Sequence, residues 1–545
     1  MTDCRVVIFS TMQPCQIYRL VDRLELEVSG IKIAGLLYEV SSPSRRSGIP
    51  SKADFTFSDR LGDDGLLGRF RRLALRAAHS LLRFAQASSV ETSRQTPVSV
   101  GDLVERCTKR GWQCYVTADF HDEQSLKFVR ELIPDVGLLL EARTLEPVLY
   151  TIPRLGTVAL RERLLDNRTE LLLSTHLVEE GSKTTTFLRQ RGIRVDPYDN
   201  QTSLSLKAGI IGEDLLVETM QDFTLGTAHS QTCSDTAKTS HAQAHESSGS
   251  QRPSASQQAY KARRRRPAWK LLLRSSAYLW LLPFRNWKRR AKKVFPLVVL
   301  FHHLISDRPH PMALSTEGFL RHLRYLKQHY RLVSLAEGMR LLASGRIAEP
   351  TAVLTFDDGY EDNFVNMRAV LRVEPAPVTM FVCPELMEKR QPFPHDVRDG
   401  RGGFEPLWPA QVQRLANEGM EIGSHTRTHF DCRSTDGARL RNEIADSRQD
   451  LETLLGRPVT TFSFPWGKPV NMSEPAIHLA KANYEHYFSA YGGANFPGAL
   501  PQHLVRTDYA LDLWELELAL QQLLDFRPTG YRQGPRANAK GELHE

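Results

Sequence analysis

Two adjacent carboxylates, Asp357 and Asp358, end an apolar run, Ala352-Val353-Leu354, and are followed by Gly359. The run reads as a buried strand, and the glycine lets the backbone turn directly after the acids. Paired acids at a strand end suit acid–base or metal chemistry. Further on, His425 and His429 stand four residues apart, just past a second short strand, Glu421-Ile422-Gly423. If that segment turns helically, both imidazoles can meet one ion. Two imidazoles and one carboxylate leave a coordination position open for water, which is the arrangement of a catalytic metal and not of a closed structural one. A third strand end carries Phe462-Ser463-Phe464-Pro465-Trp466-Gly467, an aromatic turn suited to the wall of a substrate groove.

The elements that must position these groups alternate between strand and helix. Over residues 296–530, Leu297–Phe301, Val353–Thr355, Val378–Val382, Glu421–Gly423 and Thr460–Phe464 read as strands. Helices fall between them, among them Thr316–Tyr330 with Phe319, Leu323 and Leu326 on one face. This order predicts a distorted (β/α) barrel. Residues 1–225 alternate in the same way, with strands at Val6–Phe9, Lys32–Tyr38, Gln113–Thr117, Val136–Leu140, Gly156–Leu160 and Glu170–Leu177, and predict a Rossmann-like parallel sheet. Residues 41–100 are irregular around one helix, Leu67–Ala85. The α/β class therefore covers both halves.

Between them, residues 226–258 are rich in Ser, Thr, Gln, His and Ala, with too little apolar surface to fold; His229, His241 and His245 are scattered there without a ligand spacing. Residues 261–293 carry Arg263-Arg264-Arg265-Arg266, then Trp269, Leu272, Leu273, Trp280 and Leu281, then Trp287-Lys288-Arg289-Arg290 and Lys292-Lys293. Basic flanks around an amphipathic aromatic stretch suit an anionic membrane surface, or a connecting helix that packs on a domain. Residues 226–295 are thus a linker with a basic amphipathic segment, and residues 531–545 a polar tail.

The 545 residues suffice for two to four domains, and 41% hydrophobic with 25% charged residues is ordinary for a soluble globular protein. The net charge of +8 concentrates in the basic block, but no zinc finger or RNA-recognition signature accompanies it, so nucleic acid is not the expected partner. Seven cysteines, an odd number without a Cys-x-x-Cys pair, argue against a disulfide framework and a thiolate zinc site and suit a reducing compartment. The apolar stretch Val6–Phe9 is too short for a signal-peptide core, and no run is long enough for a membrane span. The expected location is the cytoplasm, peripheral at the inner face of the membrane.

The three motif segments together resemble the polysaccharide deacetylase family, the chitooligosaccharide deacetylase type of carbohydrate esterase. Thr355–Gly359 is similar to its first motif, Ser424–His429 to its second, and Ser463–Trp466 to part of its third; the likeness spans roughly residues 296–515. The resemblance implies that Asp358, His425 and His429 hold a divalent metal (Zn²⁺, with Co²⁺, Ni²⁺ or Fe²⁺ as alternatives), that Asp357 is the general base, and that the main-chain N–H of Trp466 helps bind the oxyanion. Ser463 replaces the family's usual arginine, and Arg506 is the candidate tether for Asp357 in its place. The family's late histidine has only His503 as a weak match. The strand end Phe301-His302-His303 instead resembles the opening of the rearranged exopolysaccharide N-deacetylases, which puts the acid on His302.

Residues 1–225 resemble formyltransferases that use 10-formyltetrahydrofolate, through Pro134–Leu138, Ile152–Arg161, Asp199–Leu206 and Gly212–Met220. The catalytic positions are replaced: Ala159 and Arg161 stand for the family's Asn and His, and Ser182 and Lys183 fall near its Asp. Ala159 cannot orient a formyl group and a charged Arg161 cannot act as a neutral base, so this domain is expected to be inactive, with His176 on a strand. The expected function is hydrolysis of the N-acetyl or N-formyl amide of an amino sugar, borne by an oligosaccharide, a nucleotide or a lipid, in polysaccharide or glycolipid biosynthesis. The alternative is a non-catalytic sugar-binding scaffold at the membrane surface.

Overall fold

The computed structural model describes residues 3–12, 14–40, 100–140, 145–165, 169–179, 186–197, 199–229, 231–232, 281–498, 502–508 and 513–521. They form two compact units, within 3–232 and 281–521. The helix expected over Leu67–Ala85, the positions Ser182 and Lys183, His241 and His245 all lie outside the described residues.

In the N-terminal unit a seven-stranded sheet runs in the order Gln113–Thr117, Ile31–Glu39, Cys4–Ser10, Val136–Leu140, Thr157–Leu164, Glu170–Leu177, Arg189–Arg194. The first five strands are parallel. The last two are antiparallel and extend the expected parallel sheet at one edge. The reason is local: residues 165–169 are too few for the crossover that a parallel neighbour needs, so the chain must turn back on itself. The closing helix, Gln201–Leu225, starts at a reciprocal cap in which Asn200 accepts from the Ser203 amide and Ser203 accepts from the Asn200 amide. It ends at Gly226, in the left-handed conformation. Ala159 lies opposite His176 on the antiparallel pair, so His176 is indeed on a strand. Burial and the charge of Arg161 hold its imidazole pKa below the usual value.

The C-terminal unit is a nearly closed parallel barrel. Its strands run His503–Val505, His486–Ser489, Thr461–Ser463, Glu421–Ser424, Val378–Val382, Thr351–Phe356, Leu297–His302, Thr507–Asp508. The two edge strands are separated in sequence by Arg506 alone, so the chain passes from one open edge to the other through that residue. Asn495 stitches the same gap: its backbone exchanges two hydrogen bonds with Leu297, and its side chain bonds both the N–H and the carbonyl of Val505. All six residues of Leu297–His302 and of Thr351–Phe356 are buried, as expected for parallel strands covered on both faces. Outside the barrel, the helix Thr316–His329 starts at Ser315, whose hydroxyl accepts from the Gly318 amide, and lays Phe319, Leu323 and Leu326 on the sheet. The helix Leu281–Lys292 belongs to this unit through hydrogen bonds from Arg285 to Gln521.

Candidate active site

The strand Thr351–Phe356 delivers Asp357 and Asp358 to the carboxyl end of the barrel, where both are buried. Asp358 and Gly359 have φ of 70° and 83°. A Cβ on Gly359 would stand 2.8 Å from Val382 Cγ1, so the turn requires glycine on both conformational and steric grounds. The strand Glu421–Ser424 delivers His425 and His429. They meet through a loop in which Thr426 and His429 are left-handed, φ 62° and 57°, and not through the helical turn expected. Glu443, fully buried, fixes that loop by accepting from the amides of Arg427 and Thr428 and from the Thr428 hydroxyl.

Asp358 Oδ1 lies 3.4 Å from His425 Nε2 and 3.2 Å from His429 Nε2. The three residues present ligand atoms within 4.8 Å of one another. Among the described residues, neither buried oxygen of Asp358 has a hydrogen-bond partner of good geometry, and only the two imidazole nitrogens stand close to Oδ1. An ionised carboxylate left this way costs several kcal/mol unless a cation compensates it, so the set fits a divalent metal. Burial pushes the Asp358 carboxyl up, but the two imidazoles outweigh it and hold it well below the ordinary carboxylate range. His425 is oriented from behind, its Nδ1 2.7 Å from the Ser463 carbonyl, which leaves Nε2 for the ion.

Asp357 is held differently. Arg506 Nη1 and Nη2 each donate to one of its oxygens at 2.7 Å, and Nη2 also reaches the Ser463 hydroxyl at 2.7 Å. Arg506 is fully buried, its guanidinium 4.8, 5.4 and 5.9 Å from the ring centres of Phe301, Phe381 and Phe488. Burial raises the Asp357 pKa, and the charge and hydrogen bonds of Arg506 together with the nearby His425 and His303 bring it below the ordinary value, so the carboxylate stays ionised. The structure thus brings together Asp357, Asp358, His425, His429, Arg506 and Trp466. The Trp466 ring stands edge-on to His429 at 4.5 Å and is 37% exposed at the cavity mouth.

Two sequence-based placements are corrected. His302, expected as the acid, lies behind the sheet, stacked on Phe356 at 5.1 Å and edge-on to Phe319 at 5.6 Å. Burial holds its imidazole down at about 3. Successive strand residues face opposite sides, and it is Phe301 and His303 that line the cavity. His503 stacks on Tyr487 and bonds the Ser489 hydroxyl, also away from the cavity.

The cavity wall also holds His395, His303, Met312, Arg398 and Arg401, none of them expected from the sequence. His395 comes from the short helix Pro394–Arg398 and stands 4.0 Å from Asp358 Oδ2 through Nε2, which also bonds the Tyr360 hydroxyl at 2.8 Å. Tyr360 donates onward to the buried Asp396, which also takes bonds from His310 and Arg401. His395 and Arg401 line, together with Met312, Arg398, Ala490 and the groups described above, a cavity of about 210 Å³. A cavity of this size holds a small group and not a whole chain of linked units.

Residues 344–484 match the polysaccharide deacetylase family model. The matched segment lies within the barrel unit and includes Asp357, Asp358, His425 and His429. Among curated relatives, a putative polysaccharide deacetylase, YxkH, of Bacillus subtilis is 24% identical over 181 residues, which are 33% of this chain and 60% of the relative. The chain thus spans less than two thirds of that protein. Among solved structures, IcaB from Ammonifex degensii is 21% identical with TM-score 0.36, covering 42% of this chain and 97% of its own. A phosphoribosylglycinamide formyltransferase from Bacillus halodurans is 13% identical with TM-score 0.26, covering 40% of this chain and 94% of its own.

Proposed function

We propose that the deacetylase domain removes the N-acetyl or N-formyl group of an amino sugar, with Asp358, His425 and His429 holding a divalent metal. The buried Asp358 carboxylate, without a hydrogen-bond partner of good geometry among the described residues and close to two imidazole nitrogens, is the observation that carries this reading. When bound, such an ion polarises the amide carbonyl and acidifies a water molecule. Asp357 accepts the proton of the attacking water on a carboxylate oxygen. Arg506 keeps that oxygen ionised and pointed at the cavity, which makes Asp357 a weak base, adequate only for an acidified water. The oxyanion is met by the main-chain N–H of Trp466. The leaving amine takes its proton from a protonated imidazole of the cavity wall; burial holds that of His395 down to about 4, which favours His303 as the donor.

A His₂Asp set suits Zn²⁺, Co²⁺, Ni²⁺ and Fe²⁺, with Zn²⁺ the first choice. The substrate is an oligosaccharide, nucleotide-linked or lipid-linked sugar, handled in the cytoplasm, with residues 261–293 bringing the enzyme to the inner face of the membrane. The formyltransferase-like unit is non-catalytic in this reading, since Ala159 and Arg161 occupy the catalytic positions. The test is release of acetate or formate from N-acylated glucosamine oligomers by the purified chain with added Zn²⁺ or Co²⁺. Asp357→Asn should abolish release while metal stays bound; a wild-type chain that binds no metal overturns the reading.

A further inference from the structure

The helix Leu281–Lys292 turns two arginines toward the domain and two aromatic rings outward. Arg285 and Arg289, one turn apart, face the domain. Arg285 bonds the Gln521 carbonyl at 3.0 Å and its side-chain oxygen at 2.5 Å, and Arg289 lies over the Phe496 ring at 5.6 Å. Burial lowers the pKa of both guanidinium groups, that of Arg289 to about 10. The outward stripe is Phe284, Trp287, Lys288, Ala291 and Lys292, at i, i+3, i+4, i+7 and i+8. Phe284 is 63% and Trp287 64% exposed, and their rings stack on each other at 5.9 Å. A soluble helix normally buries such rings and exposes its arginines. Here the pattern is reversed, and the reversal is anchored by specific bonds.

We infer that this stripe is a membrane-contact face: Phe284 and Trp287 enter the headgroup–acyl boundary of an anionic bilayer, and Lys288, Lys292 and Lys293 lie against its headgroups. Charge complementarity selects the occupant. Residues 261–293 contain thirteen Lys or Arg and no Asp or Glu, so the surface met must be strongly anionic. A Trp–Phe pair beside lysines is the composition of an interfacial helix. The Arg285–Gln521 bonds tie the stripe to the barrel, so contact with lipid fixes how the deacetylase domain is presented to it. The inference deepens the membrane part of the proposed function and is independent of the hydrolytic chemistry.

The test uses the full chain with sedimented vesicles of phosphatidylcholine alone or with phosphatidylserine. The expected result is binding to the mixed vesicles only, weakened by salt. In Phe284→Ser/Trp287→Ser partitioning should fall about tenfold or more, with unchanged circular dichroism and unchanged hydrolysis of a soluble N-acylated oligomer. Brominated lipid should quench the wild type more than Trp287→Phe, which reports insertion directly. Because residues 261–280 alone can attract anionic vesicles, wild-type-like binding by the double-serine variant overturns the assignment. So does equal quenching of the two proteins. Binding of a nucleic-acid oligomer in place of vesicles also overturns it, as does a dimer that becomes monomeric in the serine variant. Failure of hydrolysis with vesicle binding intact would leave this inference standing and sink only the deacylation.

Discussion

Arg506 grips Asp357 with both guanidinium nitrogens, 2.7 Å to each carboxylate oxygen, from a position between the two edge strands of the barrel. The connection between the edge strands and the orientation of Asp357, the proposed base, therefore depend on the same residue. A lysine has one ammonium and cannot reproduce the paired donors. Arg506→Lys should lower kcat roughly 10²-fold through misplacement of the base, with bound metal unchanged by elemental analysis. Arg506→Ala, which leaves a buried carboxylate unpaired, should cost about 3–5 kcal/mol of stability. A lysine variant with wild-type kcat would remove Arg506 from the site's machinery.

Metal should stabilise the fold as well as activate it. Among the described residues the buried Asp358 oxygens lack hydrogen-bond partners of good geometry, and an ion that binds only the folded state adds about 4 kcal/mol at 1,000 times its Kd. Chelation should lower Tm, and Zn²⁺ should restore it. Asp358→Asn, whose neutral amide has no such need, should show no metal-dependent shift. The same shift in both proteins would place the ion elsewhere.

The cavity was only partly legible in the sequence. Asp358, His425 and His429 belong to short contiguous motifs at strand ends, and Arg506 stands in the only basic position near the last strand. His395 has no such mark. Its place depends on a bond to Tyr360 35 residues away, which no periodicity encodes. The placement of His302 failed by one residue of register: a single step along a strand exchanges its two faces, and it is His303 that lines the cavity. In the N-terminal unit the hydrophobic alternation marked the strands. The direction of the edge pair followed from the short connection at 165–169 and not from the strand residues themselves.

The His302 correction is directly testable. Its ring stacks on Phe356 and meets Phe319 edge-on, where phenylalanine is a close replacement. His302→Phe should keep activity within a few-fold and change stability by less than about 1.5 kcal/mol. His303→Ala or His395→Ala should each be read in the same assay, and the one that supplies the leaving-group proton should lose about 10²-fold or more in kcat. Loss of activity in His302→Phe with normal folding would return the acid role to that residue.

Gly467 sets the cavity wall. Its φ is 56°, and a Cβ there would stand 2.5 Å from the Ala490 amide nitrogen, a backbone atom that cannot swing aside. Gly467→Ala should destabilise by about 1–3 kcal/mol. It should also displace Trp466 and Ala490, which line the cavity, so KM should rise along with the fall in Tm. A variant with wild-type Tm and KM would show that the turn tolerates a side chain.

Glu517 should tie stability to pH. It is buried on the helix Leu513–Leu520 and accepts from the hydroxyls of Tyr325 and Tyr330 at 2.8 and 3.1 Å. Burial raises its pKa from 4.5 to about 7, against the smaller opposing pull of its hydrogen bonds and of Arg285. Between those two values the folded chain holds a proton that the unfolded chain has released, so stability falls as pH rises from about 4.5 to about 7. The shift corresponds to roughly 3 kcal/mol. His503, lowered to about 4 chiefly by burial, acts in the opposite sense, because there the unfolded chain binds the extra proton and stability rises with pH. The wild-type profile is therefore a sum, and the informative quantity is its difference from Glu517→Gln. Glutamine keeps an acceptor for the tyrosines and carries no charge, so denaturant midpoints should show the variant gaining relative stability as pH rises from 4.5 to 7. A constant difference across that range would mean that Glu517 is ionised throughout, compensated by Arg285.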